Sequence, residues 1–150
     1  RVSSSAASDV YKRQVMHSSK KSKALKKIDR PNAYIIKKNQ TEIIEKLDIN
    51  GIKTIRIEND TTLSVGSYTV TALKNDFKIY EKMKMQDVDV RIDYSDIEFS
   101  KGDLILPMKQ KKSNLIAELM EPEAPNSYVS FGLIKTGINK ILPIYRIREL

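Results

Sequence analysis

The chain has 150 residues, 40% hydrophobic and 31% charged, with a formal net charge of +8 and no cysteine. That length suits one domain with a real core, the absence of thiols excludes disulfides and thiolate metal sites, and no apolar run reaches the roughly 18 residues of a membrane-spanning helix. The positive charge is confined to one end: residues 1–38 hold eleven Lys or Arg against two Asp or Glu, and residues 39–150 hold sixteen against seventeen. The body is balanced and shows no phosphate-neutralising face, so nucleic acid is not an expected partner.

Residues 1–14, RVSSSAASDVYKRQ, open without Met and carry no hydrophobic pattern. They resemble a translated sequencing-adapter peptide fused to a reading frame, and the chain as a whole reads as a piece of something longer. Five lysines follow between His17 and Lys27, a composition more typical of a solvated linker than of a nucleic-acid arm. His17 is the only histidine, and one imidazole does not build a zinc site. Residues 1–30 are thus expected to be a disordered or artefactual tail and linker, and 31–150 an α+β domain or domain fragment.

Ala33 to Ile36 is an apolar run bounded by Pro31 and a lysine pair, and predicts a buried strand. Asn39 or Thr41 is the expected cap of a helix with Ile43, Ile44 and Leu47 on its buried stripe and Gly51 as its stop. Ile52 to Glu58 then alternates, with Ile55 and Ile57 on one face, which completes a small β-α-β unit. Val65 to Leu73 and Asp87 to Tyr94 alternate as well, and predict strands that turn Tyr68, Val70, Ala72 and Val88, Val90, Ile92, Tyr94 toward a core. The opposite row, Asp87, Asp89, Arg91 and Asp93, lacks the glycine-turned loop of a calcium site and reads as a solvated strand face. Phe77 to Met85 has no clean period and predicts an irregular connection or an edge strand.

After a turn at Lys101 to Asp103, Leu104 to Leu106 predicts a buried strand that Pro107 ends. Ser113 is the expected cap of a short helix with Leu115, Ile116, Leu119 and Met120 on its buried side and Pro122 beyond its end. Asn126 to Ile134 predicts a short helix or an anchored loop, and its Tyr128, Val129 and Phe131 are expected to form an exposed docking patch. A turn at Gly137 to Lys140 leads to a last strand, Ile141 to Ile147, whose Pro143 points to an edge position or a strand start. The fold class is therefore α+β: a small β-α-β unit followed by a mostly antiparallel sheet with one or two short helices.

Leu104 to Leu106, Gln110, Met120 to Glu123, and Phe131 with Gly132 together resemble the region downstream of the catalytic domain in bacterial zinc carboxypeptidases, the carboxypeptidase-A-like metallopeptidases. The resemblance runs back to Pro31 and Tyr34 and forward to Leu142 to Arg146. It implies a C-terminal accessory part whose partner is a missing N-terminal catalytic domain, with zinc and the peptide substrate belonging to that domain; the sequence leaves the compartment open between the cytosol and a secreted or periplasmic parent. No catalytic, cofactor-binding or metal-ligating residue is assigned within this chain. Glu118, Glu121 and Glu123 are the tempting substitutes for a paired-carboxylate site, but an acidic, solvated helix side explains them as well. The alternative is a free-standing binding or interaction module without catalytic activity.

Overall fold

The structure is a computed structural model that describes residues 28–74, 79–80, 83–84 and 86–149. The expectations for residues 1–27 lie outside the described residues, as does most of the reading of Phe77 to Met85.

Strand β1 spans Ala33–Ile36, helix α1 Thr41–Ile49, β2 Ile55–Arg56, β3 Thr61–Lys74, β4 Ile79–Tyr80, β5 Met83–Lys84, β6 Asp87–Phe99, β7 Leu104–Pro107, helix α2 Ser113–Met120 and β8 Ile141–Ile147. Six strands form one sheet in the order β2-β7-β1-β8-β3-β6, and β4 and β5 pair separately. Every pairing is antiparallel. The β-α-β unit exists in a split form. Strands β1 and β2 run the same way, each antiparallel to β7, which lies between them.

Period-two alternation explains how one sheet feeds two cores. On one face Tyr34, Ile36, Leu104, Leu106, Leu142 and Ile144 join Ile43 and Leu47 of α1 and Ile116 and Met120 of α2 in the larger cluster. On the other, Ala33, Ile35, Tyr145 and Ile147 gather with Ile57, Val65 and Phe99. All four residues of β1 are fully buried, as a strand covered on both faces requires.

Four local expectations change. Ile55 is exposed and only Ile57 of that pair is buried, because the second strand is two residues long and Ile57 has already left it. The helices begin after Gln40 and Lys112, and neither N-cap makes a side-chain hydrogen bond. Tyr94, midway along the edge strand β6, is 42% exposed instead of facing the core. Pro143 sits in a central strand: β8 lies between β1 and β3. Its missing N–H falls on the β1 side opposite Lys37, just past the end of β1, where the pair keeps the bond from Lys37 N–H to the Pro143 carbonyl.

The segment after α2 is not a docking patch. Tyr128 N–H donates to Leu119 O, and Leu133 N–H to Tyr128 O, which folds the segment back under the helix. Tyr128 and Val129 are buried in the larger core and Phe131 is only half-buried. Tight turns gave these side chains an interior direction that no sequence period announces.

Candidate functional site

Two polar features stand out against this apolar frame, and they share Arg146. The first is a buried clasp around Glu121, the residue that ends α2. Tyr34 donates its phenolic O–H to Glu121 Oε1 at 2.5 Å, and Tyr68 O–H lies 3.1 Å from both carboxylate oxygens. The Arg146 guanidinium stands 3.6 Å from Oε1, with side chains only 5% and 14% exposed for the pair. Arg146 also donates to the Asp29 carbonyl. Strands β1, β3 and β8 thus each send one polar side chain to the same helix end.

Burial, and then the neighbouring Glu121 carboxylate, push both tyrosine hydroxyls far above their usual range. They are therefore fixed proton donors to Glu121. A carboxylate that two phenols and a guanidinium already engage is poorly placed to take a proton from a substrate.

The expectation of a solvated acidic helix side holds for Glu118, which is exposed and accepts from Asn126 Nδ2 at 2.6 Å. It fails for the other two. Glu121 belongs to the clasp, and Glu123 accepts from the backbone N–H of Val90 at 3.0 Å, on the outer side of β6. The physical reason is the chain reversal at Pro122, which carries the post-helix residues back over the sheet. Gln110 is similarly structural: it bonds both the N–H and the C=O of Lys53 at 3.0 Å and so prolongs the β2–β7 pairing.

Asp103 was not singled out in the sequence and is nearly fully buried. It accepts from the backbone N–H groups of Lys38 at 2.8 Å and Ser100 at 2.9 Å, with Lys37 Nζ at 3.7 Å. That fixes the turn before β7, and Lys37 stacks over Phe99 at 4.4 Å. The row Asp87, Asp89, Arg91 and Asp93 is mostly exposed and pairs with itself and Lys74 at 2.9–4.0 Å, as a solvated face does.

The second feature is a cleft of about 630 Å³ between the segment entering β1, the middle of β6 and the end of β8. Arg30, Arg146 and Arg148 line it with Asp29, Tyr94 and Ile92. Arg148 lies over the Tyr94 ring at 4.2 Å, and Arg30 donates to Asn114. Sequence reading missed these arginines. The available signal was Arg146 itself, an even-numbered partner of Leu142 and Ile144 on the core side of a strand, where a cation requires a buried acceptor.

The chain offers one histidine and no cysteine, and among the described residues no group of three His, Cys, Asp or Glu is placed to hold a metal. No helix of the described residues is long and apolar enough to cross a membrane.

No family model matches the chain, and no solved structure matches it. Curated proteins do. The chain is 27% identical over 118 residues to Carboxypeptidase 2 of Trichophyton tonsurans. It is also 27% identical over 119 residues to the proteins of the same name from Trichophyton rubrum and Trichophyton equinum. Each match covers 79% of this chain and 22% of the relative, so the chain spans about a fifth of the length of these proteins. The relatives are fungal, and the similarity they share with this chain marks it as a carboxypeptidase-related region.

Proposed function

We propose that residues 31–150 are the C-terminal, non-catalytic part of a zinc metallocarboxypeptidase-like protein, supporting an upstream domain that removes C-terminal residues from peptides. The observation that carries this reading is the match of 79% of the chain to 22% of the fungal carboxypeptidases. The chemistry of the described residues supports the division of labour: Glu121 and Glu123 are engaged in holding helix, loop and sheet together. The partner in this reading is the catalytic domain, which holds the zinc and the peptide.

The genomic reading frame upstream of Val15 tests the proposal. Histidine and glutamate codons at zinc-ligand spacing are the expected finding; a stop codon with a start immediately before Met16 would overturn it. The purified chain, incubated with zinc and a chromogenic C-terminal peptide substrate, should show no metal-dependent turnover.

A second reading, a free-standing binding module, has one observation in its favour. Tyr128 and Val129, expected to face a partner, are covered by the chain's own core.

A further inference from the structure

We propose that the arginine-lined cleft is a binding site for an oxyanion, a carboxylate or a phosphate, carried on an apolar or aromatic body. The inference stands on the cleft alone and does not depend on the carboxypeptidase reading.

Three arginines line it with one acid, Asp29, and Arg30 also donates to Asn114. Arg146, 4% exposed, lies deepest. Its Nη2 is turned to the Asp29 carbonyl and to Glu121, and its Nε–H is buried without an acceptor among the described residues. A buried donor left unpaired is costly, so this guanidinium retains a reason to bind an acceptor. Arg148 is held in a different way. Its planar head stacks on Tyr94, and among the described residues no acid pairs with it or with Arg30. Stacking orients a guanidinium while leaving its in-plane N–H donors free, which is the geometry a planar or tetrahedral oxyanion accepts two at a time.

The remaining walls choose the body. Ile28, Pro31, Ile92 and the Tyr94 ring give the cleft apolar surface beside its donors. A ligand with a charged head and a hydrophobic or aromatic substituent would use both, whereas a bare inorganic ion would use only the first. The cleft volume of about 630 Å³ lies within the range of small-molecule sites.

The experiment titrates the full chain separately with phenyl phosphate and with benzoate. Affinity is measured by calorimetry, and the arginine Nε–H groups are followed by proton–nitrogen correlation spectra. At least one ligand is expected to bind with Kd of about 1 mM or tighter and to move the Nε–H signals of Arg146 and Arg148. Binding of the phosphate ester alone assigns a phosphorylated ligand and binding of benzoate alone a carboxylate; either supports the site. Arg148→Gln should weaken binding about tenfold with an unchanged melting temperature, and Lys101→Gln, outside the cleft, should not. Arg146→Gln is a poor probe because it also breaks the clasp. Silence of both arginine signals with both ligands, or undiminished binding by Arg148→Gln, would overturn the proposal.

Discussion

Replacing Glu121 by Gln asks how much the buried clasp contributes. The amide keeps the shape and one acceptor oxygen, but removes the charge that faces Arg146 at 3.6 Å and presents an N–H₂ where Tyr34, Tyr68 and Arg146 all donate. Removing one partner of a buried ion pair costs about 3–5 kcal/mol, since the other charge is left without compensation. Arg146 keeps the Asp29 carbonyl, which argues for the lower end, about 3 kcal/mol. In a domain of this size that corresponds to a fall in melting temperature of about 10 °C. Urea denaturation followed by circular dichroism gives the free-energy change, with Glu118→Gln as the exposed control, expected within about 0.5 kcal/mol of the parent. The double variant with Tyr34→Phe should cost less than the sum of the single changes by about 1 kcal/mol or more, because both act on one bond. Equal stability of Glu121→Gln and Glu118→Gln would refute the reasoning: the clasp would then be ordered but energetically idle.

Alkaline pH should unfold the protein through Tyr34 and Tyr68. Their folded pKa values are raised, so their stabilising effect is complete below the unfolded value near 10 and falls above it by about 1.4 kcal/mol per pH unit for each tyrosine, measurable as the slope of denaturation midpoint against pH. Ile116→Ala, at a fully buried position on α2, should cost about 2–5 kcal/mol by the same urea assay, and Leu119→Ala, half-buried beside the core, clearly less. Gly51→Ala should cost about 1–2 kcal/mol, because φ of +68° after α1 places a Cβ against the following carbonyl; thermal melts read the change.

The elements whose residues carry their own period are legible in the sequence. The apolar run of β1, the stripe Ile43 and Leu47, and the alternation of Tyr68 with Val70 all declare a buried face by spacing alone. What spacing does not encode is which strands become neighbours. The insertion of β7 between β1 and β2, the central place of β8 despite Pro143, and the burial of Tyr128 are decided by contacts between distant segments. The polar features were illegible for the same reason. Glu121 looks like any acid near a helix end until the strands bring Tyr34, Tyr68 and Arg146 to it from 87, 53 and 25 positions away.

The strand order also dictates when the protein can fold. β1 emerges first, yet both of its neighbours, β7 and β8, come from the last third of the chain. Until β8 has been synthesised, β1 has a bare flank and α1 packs on an incomplete surface. The long β3–β6 pair, thirteen matched positions separated in the chain by residues 75–86, is near enough in sequence to close early. Sheet formation therefore waits on contacts of high sequence separation, which slows collapse and leaves an apolar strand open on the ribosome. Loss of even the closing seven residues of β8 would separate the β7–β1 half of the sheet from the β3–β6 half, so a chain shortened at its C-terminal end should fail to fold, not merely melt sooner.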